Sequence, residues 1–187
     1  TSEQGVFERL VLESFQSGLS WSTILKKRQA FRNAFASFIP EAVATFTDQD
    51  HERLMQDAGI VRNKRKIDAA ITNARAVIAL RGALAAESDA HRAGRVGEAP
   101  LTHLLRPRQS YPRHLGELVW LFQPNHQSRP EKAGDVPAQT EESRALSLEL
   151  KRRGFVFVGP VTALALMSAI GIVNTDILGT WKRPSNE

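Results

Sequence analysis

One carboxylate in this sequence sits where a carboxylate is costly. Phe7, Leu10, Val11 and Phe15 recur at three- and four-residue spacing and predict an opening helix with those side chains as its inner stripe. Glu13, among Leu10, Leu12 and Phe15, falls at the edge of that stripe, where a partly buried carboxylate needs a hydrogen-bond donor or a cation. The residues alone leave two readings equally open: a structural glutamate closed by a salt bridge, or an acid facing a ligand that brings the charge. A second feature runs from Arg153 to Ala163, where Gly154 and the pair Gly159 and Pro160 separate a basic helix end from an apolar helix through Leu164, Leu166, Met167 and Ile170. This is a helix–hairpin–helix pattern. A glycine hairpin lets backbone approach closely, the free N–H groups of the following helix point at a phosphate, and Pro160 loses nothing in the first turn. The alternative is a Gly-Pro helix start of an ordinary fold.

The elements that must position these groups are helices. A second helix is predicted after Ser20, carrying Ile24, Leu25 and Phe31; Pro40 opens a short one with Val43 and Phe46, and Thr47 caps another that Gly59 closes. From Asn63 a longer helix is marked by Ile67, Ala70, Ile71, Ala74, Val77 and Ile78 on one face. Between Ala83 and His114 the pattern breaks into Ala, Gly, Pro, Arg and His, which predicts an insertion or mobile loop. Leu115 to Phe122 resumes as a short helix, 124–137 is a polar loop, and Thr140 starts a helix ending at Lys151, Arg152, Arg153 and Gly154. Nothing reads as a strand ladder. The expectation is an all-α fold in one domain over 1–187.

The 187 residues, 42% hydrophobic, suffice for a core without staples, and the absence of cysteine removes disulfides, thiolate metal ligands and a cysteine nucleophile. With no long apolar run and no signal-like start, the expectation is a cytoplasmic protein. A net charge of +5 permits attraction to a polyanion. Its placement matters more: Lys26 to Arg28, Arg62 with Lys64 to Lys66, and Lys151 to Arg153 form three clusters that a fold could gather on one face, or leave as solvated helix ends.

Leu12 to Trp21, reading LESFQSGLSW, with Ile24 to Arg28 after it, resembles the segment characteristic of the 3-methyladenine DNA glycosylase I family of hairpin-type DNA glycosylases. Asp57 to Asn63, leading through Lys66 and Ile67 to Asn73 and Ala76, is similar to that family's central helix, and Leu150 to Asn174 resembles its hairpin block. The resemblance implies a monofunctional hydrolase that flips an alkylated base from duplex DNA and cleaves its N-glycosidic bond with water. It implies that Glu13 recognises the base by accepting from its exocyclic amine and that Trp21 stacks on it; plain core tryptophan is the other reading of Trp21. Gly18 and Leu19 match the turn that fills the gap left by the extruded nucleotide, while Lys26, Lys27, Arg62, Lys64, Arg152 and Gly159 are the implied phosphate contacts. A monomer acting on double-stranded DNA is expected.

The chain also departs from the family. Hairpin glycosylases commonly carry an aspartate in a Val-Asp-Thr-His segment; here Val173, Asn174, Thr175 and Asp176 place a neutral amide at that register, and of the two readings of Asp176, that carboxylate displaced by two residues or an ordinary surface residue, the second is expected. A base alkylated at N3 is already cationic, so less acid catalysis is required of the protein. The family's Cys-Gly-Trp, Tyr-His-Asp and Glu-Trp-Gly motifs, which precede its first helix and supply pocket aromatics and two zinc ligands, are not in this sequence: either a longer protein supplies them or the pocket lacks that wall. The other two ligands correspond to Asp176 and Thr180, so the expectation is no zinc and no cofactor. His126 is read as structural or solvated. Rival readings are a DNA-binding module of little or no activity, or a glycosylase for another alkylated purine.

Overall fold

A computed structural model describes residues 2–127 and 130–176, and among these the regular elements are all helical. Eight α-helices follow in order: α1 (Glu3–Gln16), α2 (Trp21–Ala34), α3 (Pro40–Ala44), α4 (Asp48–Gln56), α5 (Lys64–Arg92), α6 (Leu115–Trp120), α7 (Glu141–Arg152) and α8 (Pro160–Ala169). Their starts follow from local chemistry. The side chains of Ser2, Ser20, Thr47, Asn63, His114 and Thr140 each accept from a backbone N–H in the first turn that follows. Helices α3 and α8 open on proline instead.

The expected inner stripe of α1 understates its burial. Val6, Phe7, Leu10, Val11, Leu12 and Phe15 are all at most 1% exposed, because α2, α5, α6 and α8 pack around the helix. Phe15 meets Phe31 edge-on at 4.8 Å, and Phe35 stacks on Phe38 at 5.7 Å, so an aromatic cluster seals α1 against α2 and the turn that follows. Leu25, grouped with Ile24 and Phe31 in the sequence, is instead exposed.

Helix α5 corrects the expectation for residues 83–114. It continues to Arg92, burying Leu84 and Ala90, and the stretch beyond it is packed: Ala99, Leu101 and Tyr111 belong to the core. Small alanines suffice where elements approach closely, so the scarcity of large apolar residues misled the reading. Tyr111 donates to Glu87 at 2.7 Å and accepts from the Leu101 N–H at 3.2 Å, and Glu87 also receives Arg153 at 2.8 Å. Ile78, placed on the inner face by its spacing, is 38% exposed. By length and composition α5 alone could cross a bilayer, but half of its most apolar stretch is buried, as in a core helix.

Deleting the Glu87 carboxylate leaves the buried Arg153 side chain with Glu149 alone and the Tyr111 O–H without its acceptor. Glu87→Ala is expected to lower unfolding free energy by about 2–4 kcal/mol, read from the urea midpoint. A loss under about 0.5 kcal/mol, the range of surface substitutions, would show that the 93–114 stretch is only loosely attached.

Candidate active site and nucleic-acid interface

Among the described residues seven polar or charged side chains are buried: Glu8, Glu13, Ser14, Lys66, Asn73, Ser143 and Ser147. Six of them are satisfied. Glu8 receives Arg28 at 2.7 Å and Arg32 at 2.9 and 3.1 Å; burial pushes its carboxyl up, but the two guanidinium groups outweigh this and hold it below the usual range. Ser143 closes the capping box of α7. Ser14, Lys66, Asn73 and Ser147 bond to loop backbone, as described below. Glu13, 7% exposed, makes no hydrogen bond or ion pair to a described residue.

Burial pushes the Glu13 carboxyl up to about 7, with the charge of Arg9, one helical turn earlier, pulling modestly the other way. Two acids on one buried helix are thus treated oppositely: Glu8 is neutralised from α2, while Glu13 opens into a cavity. That cavity, of about 540 Å³, has Arg9, Glu13 and Gln16 of α1 and Trp21 on one side, and Ala165, Ser168, Ala169, Val173, Thr175 and Asp176 on the other. Trp21 reaches it from the first turn of α2, where Ser20 caps the helix by accepting from Thr23. At the end of α8 the chain reverses through Gly171 N–H to Ser168 O (3.2 Å) and Ile172 N–H to Met167 O (2.8 Å), which carries 173–176 to the cavity wall.

Asp176, expected at an ordinary surface position, is half-buried and lines this cavity, whereas Asn174 is exposed and is not among its lining residues. The backbone N–H of Asn174 is bonded by Gln127 at 2.8 Å, and its own amide oxygen accepts from the Asp176 N–H. Arg9 and Gln16, missed in the sequence, were signalled by their helical spacing of four and three residues from Glu13. A larger cleft of about 780 Å³, lined by His91, Tyr111, Arg113, His114, Glu117 and Trp120, is less apt. Its acid is already forked by Arg113 at 2.6 Å.

Two loops flank the core at the ends of α1 and α7. The first contains Gly18, whose φ of +82° is a left-handed turn suited to glycine, and Leu19, 38% exposed. The Lys66 ammonium donates to Phe15 O at 2.9 Å and Ser17 O at 2.6 Å, and Gln16 donates to Leu19 O at 2.7 Å. The second loop follows α7. Gly154 takes φ +87°, its N–H bonds Lys151 O at 3.0 Å and the Phe155 N–H bonds Leu150 O at 3.0 Å, a Schellman ending. Asn73 pairs with both polar groups of Val156 (2.8 and 3.0 Å), Ser14 donates to Phe157 O (3.2 Å) and Ser147 to Val158 O (2.6 Å). The loop is therefore rigidly fixed, with Val156 and Phe157 exposed at its tip and Gly159 leading into α8.

The basic residues divide sharply. Lys27 is committed to the carbonyls of Ala58 and Gly59, Arg152 to Glu149, and Lys66 to the first loop. Lys26, Arg62 and Lys64 are exposed and make no hydrogen bond or ion pair among the described residues. Exposed His126 fits its solvated reading.

The family model for methyladenine glycosylase matches residues 1–93 and 102–183. The chain belongs to the methyladenine glycosylase family. Its relatives include DNA-3-methyladenine glycosylase 1 of Escherichia coli K12, 37% identical over 190 residues spanning all of this chain and 86% of that protein. The DNA-3-methyladenine glycosylase of Haemophilus influenzae Rd is 35% identical over 93% of this chain and 80% of its own. A crystal structure of 3-methyladenine DNA glycosylase I superposes with a TM-score of 0.78 at 33% identity, covering 98% of this chain and 87% of that one. The Staphylococcus aureus enzyme, in a structure on 3-methyladenine recognition, gives 0.74 at 28% identity, covering 100% and 84%. Within the stretch once read as an insertion, the family model leaves only 94–101 unmatched.

The zinc that the family resemblance implies finds no fitting donors among the described residues. Among the described residues no three or more His, Asp or Glu converge, and the chain has no cysteine; Thr180 lies outside the described residues. A carboxylate at Asp176 lacks the thiolate and imidazole partners that zinc prefers.

The raised Glu13 carboxyl fixes a pH dependence of stability. Below about pH 4.5 the group is protonated folded or unfolded; as pH rises towards about 7 only the unfolded form ionises freely, so stability falls, and above that the penalty is complete. The full shift corresponds to on the order of 3 kcal/mol. Glu13→Gln is expected to match the wild type in thermal denaturation near pH 4.5 and to melt higher at pH 8. Equal melting at both would place the carboxylate in contact with a cation.

Proposed function

We propose that this chain is a DNA-3-methyladenine glycosylase, which turns the alkylated base out of duplex DNA and hydrolyses its N-glycosidic bond. The observation that carries the reading is the buried Glu13 carboxylate, without a hydrogen-bond or ion-pair partner among the described residues, facing a cavity beside Trp21. Its volume falls in the range of small-molecule sites. An adenine methylated at N3 in DNA is cationic and has an exocyclic amine. It brings Glu13 both the positive charge and the donor that this side chain lacks, while Trp21 offers its ring to the cation. A module that only grips DNA has no use for such an acid.

The chemistry is light. When the glycosidic bond breaks, its electron pair neutralises the positive base, so a neutral purine leaves without prior protonation. Water then bonds to C1′ of the sugar and gives up a proton, for which Asp176 on the far wall is the acceptor within the cavity. No lysine nucleophile is invoked. Gly18 and Leu19 fill the space vacated by the nucleotide. The loop from Gly154 to Gly159, read as the hairpin of a helix–hairpin–helix, brings the N-terminus of α8 to a backbone phosphate. Lys26, Arg62 and Lys64 add phosphate contacts. The reading carries with it a monomer working on alkylated double-stranded DNA in the cytoplasm.

Methylated duplex DNA incubated with the protein is expected to release 3-methyladenine, identified by chromatography, and Glu13→Ala to suppress that release at least tenfold. Because Glu13 must be ionised to meet a cation, kcat/KM should fall about tenfold per pH unit below pH 7, an acid limb that Glu13→Gln abolishes. Retained salt-sensitive DNA binding with no base released would replace the enzyme by a binding module.

A further inference from the structure

The two loops assigned to DNA share one support. Lys66 and Asn73 lie seven residues apart on α5, two turns along the same face and about 10 Å apart along its axis. Both are buried, and both spend their polar atoms on loop backbone rather than on neighbouring side chains. Lys66 holds Phe15 O and Ser17 O at the root of the Gly18 and Leu19 turn; Asn73 holds the N–H and C=O of Val156 in the hairpin. Ser14 closes the arrangement by tying α1 to Phe157 O. Phe157 has a positive φ of 56°, a conformation that a bulky residue keeps only where its surroundings impose it. Neither Lys66 nor Asn73 lines the cavity that holds Glu13 and Trp21.

We propose that Lys66 and Asn73 are positioning residues: through them the rigid helix α5 fixes the distance and orientation of the Gly18 and Leu19 turn relative to the hairpin, so that one loop enters the duplex where the other holds its backbone. This rests on the glycosylase reading and deepens it. The pair acts on opening of the duplex and leaves recognition of the free base alone. A lesion in a single strand, where no partner has to be displaced, depends on the pair far less.

The test compares wild type with Lys66→Met, Lys66→Arg and Asn73→Leu in single-turnover excision of 3-methyladenine from a duplex and from the same strand unpaired. Binding of free 3-methyladenine is followed by tryptophan fluorescence. The expected result is a tenfold or greater loss of duplex excision in Lys66→Met and Asn73→Leu, less than threefold loss on the single strand, and unchanged free-base binding. Lys66→Arg, which keeps donors for both carbonyls, should recover most of the duplex rate. Asn73→Leu removes no charge and carries the test by itself where Lys66→Met does not fold. Equal losses on duplex, single strand and free base would reduce both residues to general stabilisers and overturn the proposal, as would wild-type rates in both variants. A wild type that excises nothing from either substrate would instead sink the underlying glycosylase reading.

Discussion

Helix α1 is surrounded, and the rest of the molecule follows from that. A helix with apolar residues on most of its circumference can be stable only with neighbours on every side, and α2, α5, α6 and α8 supply them. Any acid on such a helix enters the interior with it. Ionised carboxylates are tolerated there only with compensation, and the described residues compensate one and not the other: two arginines of α2 close on Glu8, and none of them closes on Glu13. Under the proposed function this acid faces the base, and stability lost there above neutral pH is the cost of keeping it ready for a cation.

The same interior supports the loops. Irregular backbone next to a core exposes N–H and C=O groups that need partners, and here those partners are side chains from the helices: Ser14 from α1, Lys66 and Asn73 from α5, Ser147 from α7. A loop satisfied in this way has few alternative conformations. It can present an apolar tip such as Leu19 or Phe157 to a macromolecule without collapsing onto its own core. Polar residues within the packing therefore set the shape of the outer surface.

Much of this was legible in the sequence, and the failures have physical causes. Helix starts at Ser20, Thr47, Asn63 and Thr140 were readable because a capping side chain and an apolar period coincide. Glu13 stood out because its neighbours are apolar. The extension of α5 beyond Gly82 was not readable, since alanine carries almost no periodic signal and its burial depends on what approaches it. Three successive left-handed residues, Ala36 to Phe38, were invisible: no glycine marks them, and the turn is held by the burial of Phe38 against Phe7 and Phe35 and by Gln4 bonding Ser37 O. Asp176 was undervalued because its place on the cavity wall is set by the reversal after α8, which positions by register alone do not reveal.

Charge shows the same limit from another side. Three basic clusters in sequence left open a shared face or solvated helix ends, and in the structure each cluster is split between structure and solvent. Lys27, Lys66, Arg28, Arg152 and Arg153 are bound to carbonyls or carboxylates of the fold, Arg65 lies over the Phe157 ring, and Lys26, Arg62, Lys64 and Lys151 are exposed with no hydrogen bond or ion pair among the described residues. A guanidinium already forked by a carboxylate gains little from a phosphate, because the first partner must be surrendered for the second. Under the proposed function, backbone N–H groups at the start of α8 and the two buttressed loops therefore add to what these exposed lysines and arginine offer a phosphate.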